Sequence, residues 1–224
     1  SVGVNCTAAA SFTASKLIIK NSGYGIHSVG ASGTFVNCTI TSSAYFDVWL
    51  NETGNVTLVN CSFAQAKVGF GDAPSLLKVY WHLHIAVRWQ NNNAPVDTPG
   101  ISLKNKAGTE LWSGFADVNG TLSWLTVEQY SQTGALRTDR GPHNVTGTKL
   151  GLKGGTTFTL DATKEVIVLI IDDVMPDIRF QFPLDNHIQN SSVLGLRGNA
   201  SDNIGLLKVE VSKDGVNWFL TTGT

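Results

Sequence analysis

From Leu77 the chain alternates. Val79, Trp81, Leu83, Ile85 and Val87 fall on one face of an extended segment, and Tyr80, His82, His84, Ala86 and Arg88 fall on the other. A period of two marks a strand with one covered face, so a long antiparallel strand is expected here. Asn91-Asn92-Asn93-Ala94-Pro95 then supplies a turn, and further strands are expected at Gly100 to Lys104, Glu110 to Ala116 and Leu122 to Tyr130. Short strands at hairpin spacing predict a β-sandwich over residues 77–172.

Residues 1–76 read differently. Short β-branched runs, Leu17-Ile18-Ile19 and Val56-Thr57-Leu58-Val59, sit among Gly and Asn, and a motif recurs as Val4-Asn5-Cys6-Thr7, Lys20-Asn21-Ser22, Val36-Asn37-Cys38-Thr39 and Val59-Asn60-Cys61-Ser62. The Asn spacings are 16, 16 and 23, which suits a parallel β-helix whose loops vary between rungs. Gly23, Gly25, Gly30, Gly33 and Gly54 are expected at turns that need positive φ. Cys6, Cys38 and Cys61 read as repeat-equivalent. Rungs stack about 4.8 Å apart, so Cys38 and Cys61 come within reach of a disulfide, or serve as small apolar fillers. Either Asn37 faces outward and Cys38 inward, or an internal Asn ladder reverses both; strand alternation allows both registers.

Leu83 to Val87, Ala94 to Leu103 and Ala116 to Leu125 resemble segments of the carboxypeptidase-regulatory-like, or transthyretin-like, family, the first as a strand and the third as the turn and return strand. Asn144 to Gly147 and Lys164 to Val168 resemble its closing strands. Modules of this kind follow right-handed parallel β-helices in archaeal surface proteins, and the resemblance implies the same arrangement here. After the junction at Asp172 to Ile178, the stretches Phe182-Pro183-Leu184, Gly198 to Gly205 and Val209 to Trp218 resemble the first half of a bacterial-type Ig-like domain, over residues 173–224. The fold class expected is therefore all-β: terminal β-helix rungs, then sandwich modules. Ser1 opens no secretory leader and the last module stops at Thr224, so the chain reads as beginning inside one domain and ending inside another. A larger parent protein, an artificial boundary, or a strand donated by another subunit alongside Lys208 to Ser212 or Trp218 to Thr221 would each account for that.

Charge narrows the function classes. Only 15% of residues are charged, with a formal net charge of -1, and no basic face exists to hold nucleic acid or an anionic membrane. The longest apolar run, Val166 to Ile171, is far short of the roughly 20 residues that span a bilayer. Asn-X-Ser/Thr acceptors occur at Asn5, Asn37, Asn51, Asn55, Asn60, Asn119, Asn144, Asn190 and Asn199, where chance gives about three, so N-linked glycans and an extracellular, cell-surface location are expected.

Candidate chemistry is sparse. Asp47 and Asp72, with His27 and Lys67, are the candidates for acid/base work on a sugar, set against the plainer reading of solvated turn acids. His82 and His84 share a strand face without an evident third ligand. Asp172, Asp173, Asp177 and Asp202 supply oxygens that calcium would accept, or are simply solvated linker carboxylates. Trp49, Trp112, Trp124 and Trp218 could stack on sugar rings, although Trp124 and Trp218 alternate with apolar neighbours as buried residues do. The expected role is non-catalytic: a structural part of a sheath, coat, stalk or filament, assembling with copies of itself or other surface modules. A carbohydrate-binding or adhesion module comes second, and a polysaccharide lyase or hydrolase third.

Overall fold

The computed structural model describes residues 1–7, 11–182, 197–202, 206, 208–212 and 215–221. The chain is all-β and divides into two compact units, Ser1–Ile170 and Ile171–Thr224.

The first unit opens with a solenoid of about three turns. Its strands are β1 (Val2–Thr7), β2 (Ser11–Ser15), β3 (Ile18–Lys20), β4 (Tyr24–Val29), β5 (Ser32–Val36), β6 (Thr39–Thr41), β7 (Phe46–Asn51) and β8 (Asn55–Val59). A short 3-10 turn at Gln65–Lys67, β9 (Val68–Phe70) and β10 (Leu76–Trp89) follow. Three parallel sheets result: β1-β4-β7-β9, β2-β5-β8-β10, and β3-β6 extended by a Thr39 to Ser62 bridge. Ser11, Ser32, Asn55 and Leu76 stand side by side, so one coil takes 21 to 23 residues. Like stacks on like inside: Ile19 on Ile40, Ile26 on Val48, and Phe35 on Leu58 on Val79. Burying each such side chain stabilises the coil by about 1.5–3 kcal/mol.

That coil length corrects the Asn repeat. Asn5 lies within β1 opposite His27, and Asn21 marks a different corner, shared with Ser42. The equivalent positions are Lys16, Asn37 and Asn60, all at positive φ where the chain turns between sheets, a conformation Asn tolerates better than most residues. Cys38 and Cys61 are equivalent, whereas Cys6 sits beside Ser28 in another sheet. Of the five glycines expected at positive-φ turns only Gly30 has that conformation, at φ 63. Gly25 and Gly33 lie inside β4 and β5, and a Cβ on Gly33 would meet the Phe12 ring at 2.5 Å.

β10 joins the solenoid to a sandwich. Its first residues pair with β8 and complete the last coil, and its later residues pair in parallel with β17 (Lys164–Ile170). The strands between are β11 (Gly100–Lys104), β12 (Glu110–Phe115), β13 (Thr121–Thr133), β14 (Leu136–Asp139), β15 (His143–Lys149) and β16 (Leu152–Phe158). β13 runs antiparallel along β10, and the facing sheet is β12-β11-β15-β16. The two sheets close over a core of Leu83, Ile85, Ile101, Leu103, Val145 and Val168. Trp81 packs against both cores and donates its Nε1–H to Gln129 at 2.7 Å. Tyr130, on β13, is buried in the solenoid core, so the hairpin β13–β14 covers the last coil as a repeat array needs at its end.

In the second unit, β18 (Asp177–Phe182) pairs with β19 (Arg197–Ser201), and β20 (Glu210–Val211) with β21 (Phe219–Leu220). The two segments expected to receive a donor strand are thus each other's partner on one edge. Among the described residues from 171 onward none is buried. Pro183, Leu184, Asn190, Asn203, Ile204 and Gly205 lie outside the described residues.

Candidate functional site

The outer face of β4 and β7 carries an aromatic shelf. Tyr24 stands beside Phe46 and His27 beside Trp49 in successive coils. Ring centroids are 4.7 Å apart for Phe46 and Trp49, 6.2 Å for Tyr24 with either, and 5.5 Å for Tyr24 with His27 and with Tyr45. These are contact distances for aromatic pairs, so the rings brace one another. All but Tyr45, which is exposed at the lip, are half-buried and keep a solvent-facing side. Trp49 faces Gly69 on β9, where a Cβ would come within 2.7 Å of both the Trp49 and Phe46 rings. The missing side chain lets Trp49 lie over β9.

Next to Gly69 the shelf gives way to a cleft of about 560 Å³, floored by Val68 to Gly71 and walled by Gln132, Gly134 and Ala135 near the β13–β14 turn. Its one charged lining residue is Asp72. Asp72 accepts the Thr53 N–H at 2.9 Å and the Ser75 N–H at 3.2 Å. The Ser75 hydroxyl, with these N–H groups, holds the carboxyl below its ordinary pKa of 3.8, so Asp72 is a fixed negative charge that ties the turn.

Asp47 is no solvated turn acid. It is buried on β7, and its Oδ2 accepts the Ala64 N–H at 2.7 Å while Oδ1 has no partner. Asp47 lies near the start of β7, whereas Asp72 is held by Thr53 in the turn past the end of that strand, so the length of β7 between them is roughly 13 Å at about 3.3 Å per residue. Paired sugar-cleaving carboxylates stand about 5–9.5 Å apart. Lys67 donates to the Ser43 carbonyl, and His27 belongs to the shelf. The four candidates do not converge.

The other candidates lie apart from the shelf. Cys6, Cys38 and Cys61 are free, buried thiols; the Cys38 N–H donates to Cys61 Sγ at 3.3 Å, and burial pushes the Cys6 and Cys61 pKa values up to about 11. The Cys face inward, and the Asn ladder is external: Asn60 Nδ2 donates to Asn37 Oδ1 at 2.7 Å. Asn60 Oδ1 in turn accepts from Thr163 of the sandwich at 2.7 Å. Among the acceptor asparagines, Asn5, Asn37, Asn119, Asn144 and Asn199 are exposed, and Asn51, Asn55 and Asn60 half-buried. His82 lies 3.4 Å from Thr126, and His84 lies 3.7 Å from Glu165. Asp177 pairs with Arg179 at 2.8 Å, Asp172 accepts the Val174 N–H at 3.2 Å, and no group of three or more metal-ligating side chains occurs among the described residues, Asp173 and Asp202 included.

Two tryptophans depart from expectation. Trp124 and Trp218 are 57% and 59% exposed rather than buried. A register shift between Leu83 and Ile85, opposite Trp124, puts Leu125 and Val127 toward the core and Trp124 outward, over His84. Trp112 packs against the sandwich core. Reading the sequence singled out Trp49 and His27 but missed Tyr24, Phe46 and Gly69; the 22-residue spacing that aligns Tyr24 with Phe46 and His27 with Trp49 was the available signal.

The coils define a β-solenoid. Residues 2–108 match the family of the right-handed beta helix region, a stretch that takes in every coil. No curated protein and no solved structure matches the chain. A β-helix is compatible with surface, adhesion and polysaccharide-related roles.

Proposed function

We propose that this chain is a non-catalytic module of an extracellular surface assembly that holds polysaccharide on the shelf of Tyr24, His27, Phe46 and Trp49. The carrying observation is the braced cluster of ring faces on a rigid parallel sheet. Sugar rings present apolar C–H faces that stack on such rings, and rings that cannot turn lose little conformational entropy on binding. The separation of Asp47 from Asp72 favours holding a chain over cutting it. The exposed acceptors at Asn5, Asn37, Asn119, Asn144 and Asn199 favour an exported, glycosylated protein. Asn60, with both amide ends engaged, is the poorest acceptor of the solenoid. In this reading the transthyretin-like and Ig-like modules are spacers between the shelf and neighbouring copies on an archaeal surface.

The test is co-sedimentation with a panel of insoluble cell-wall polysaccharides. Trp49→Ala is expected to release the protein from whichever polysaccharide retains it, and Trp124→Ala to leave retention unchanged. Equal loss in both variants, or liberation of reducing ends from the polysaccharide, would overturn the proposal.

A further inference from the structure

The strands that build the shelf sheet, β1, β4, β7 and β9, contain a single charged residue, Asp47, and it is turned inward and buried. The outward side chains of this sheet therefore include no carboxylate, lysine or arginine. The one charge lining the adjoining cleft belongs to Asp72 and is negative. Among the described residues, neither the strands of this sheet nor the lining of the cleft contributes a lysine or arginine; of the cations nearby, Lys67 is engaged with the Ser43 carbonyl and Arg137 with Gln65 and Asp139. Stripping water from such an anion without a cationic partner is costly, and a fixed carboxylate nearby adds like-charge repulsion. A neutral sugar meets neither obstacle.

The shape of the surface says how the chain lies. Successive rungs repeat at about 4.8 Å along the solenoid axis, comparable with the length of one hexose unit. Along that axis His27, Trp49 and Gly69 form one row and Tyr24 and Phe46 a second beside it, and beyond Gly69, which the Trp49 and Phe46 rings cover, lies the floor of the cleft. A chain crossing the strands in this direction keeps contact with ring faces over two coils and then passes beside Gly134.

We propose that the ligand is an uncharged, extended polysaccharide lying along the solenoid axis, over the row of His27 and Trp49 with Tyr24 and Phe46 beside it, and on into the cleft beside Gly134. This rests on the polysaccharide-binding reading and narrows it to one chemical class and one direction.

Affinity electrophoresis of the full chain tests it, in gels containing hydroxyethylcellulose or galactomannan as neutral probes and polygalacturonate or alginate as acidic ones. The neutral gels are expected to retard the protein, and added salt to leave the retardation unchanged, because no ion pair is involved. Trp49→Ala is expected to weaken it about tenfold, the order of one aromatic contact. Ala135→Leu, on the cleft wall and off the ring-bearing strands, is expected to weaken binding of the long chains while leaving binding of short oligosaccharides of the same sugar intact, since it narrows the cleft; its melting curve checks that the fold is kept. Retardation by the acidic gels alone, fading with salt, would overturn the neutral assignment and leave polysaccharide binding standing. Equal effects of Ala135→Leu on long and short chains would overturn the path into the cleft. No retardation by any gel, from protein with an intact melting transition, would sink both readings.

Discussion

The solenoid and the sandwich of the first unit are both closed β-cores, and they treat their outer faces differently. In the solenoid each inward residue lies on its own equivalent from the neighbouring coil, as Phe35 lies on Leu58 and Leu58 on Val79. The same register carries through to the outside, so Tyr24 meets Phe46 and His27 meets Trp49. In the sandwich, residues of two sheets interdigitate across the core, and nothing aligns the outer face: Trp124 stands out with His84 as its one ring contact. An aromatic platform is thus a by-product of repeat register, which a sandwich does not offer. Trp81 and Tyr130 bind the two regions into one unit.

The largest effects test whether the solenoid depends on its ladder. Phe35 is fully buried and meets Phe12 edge to face at 5.3 Å, so Phe35→Ala is expected to cost about 3–5 kcal/mol. Urea unfolding followed by tryptophan fluorescence measures it, and a single transition is expected, because β10 belongs to both cores. Two separate transitions would break the comparison by showing regions that merely adjoin. Gly25→Val comes next. Its Cβ would lie 2.4 Å from Ile40 and 2.6 Å from the Asp47 carbonyl oxygen, so the ladder must spread, at about 1–3 kcal/mol. Gly108→Ala in the sandwich is the control, since nothing lies within 4 Å and only its φ of 79 resists; a loss as large as that of Gly25→Val would remove the distinction.

The two regions also differed in how readable they were. In the sandwich, alternation places β10, and β11 begins and ends where the pattern sets it. The bulge beside Leu83 defeated the reading of Trp124, because one extra residue moves a side chain to the other face. In the solenoid the conspicuous Asn-Cys motif misled: Asn5 and Asn21 share composition with Asn37 and Asn60 but not position. β4 and β7 each bury two consecutive residues, Gly25 with Ile26 and Asp47 with Val48, before alternation resumes. That irregularity puts Phe46 and Trp49, three residues apart, on one face, where a period of two would separate them. It also buries Asp47, which composition alone reads as a turn acid. The shelf was hidden because it depends on this local break and on coil length together.

Acid should act on the sandwich before the carboxylates. His143 is fully buried on β15, with its ring stacked on Phe158 at 5.6 Å between centroids. Burial lowers its pKa from the ordinary 6.5, against a smaller upward pull from the Glu128 backbone. The folded protein holds the neutral ring, while the unfolded chain takes up a proton near pH 6.5, so this contribution to stability is complete above that pH and is lost as pH falls below it. Asp72, Asp117 and Asp161 have pKa values lowered from 3.8, chiefly by hydrogen bonds, and the stability they add is lost only below that range. A His143→Leu variant is expected to keep its melting temperature between pH 6.5 and 5 where the parent declines. Parallel declines would place the acid response elsewhere.

The smallest expected effect sits at the joint. Asn60 hydrogen-bonds Asn37 within the solenoid and Thr163 on the sandwich side, each at 2.7 Å. The site is solvent-accessible, so water replaces part of what is lost, and Asn60→Ala is expected to cost about 0.5–1.5 kcal/mol. Asn60 also holds a positive φ of 50, which Ala tolerates poorly, so the substitution alone mixes strain with lost bonding. A double-mutant cycle with Thr163→Val separates the two, because strain at position 60 cancels in the coupling energy while the bond across the joint does not. Coupling of several tenths of a kcal/mol is expected. A coupling of zero would mean that β10, Trp81 and Tyr130 hold the two regions together without help from the Asn ladder.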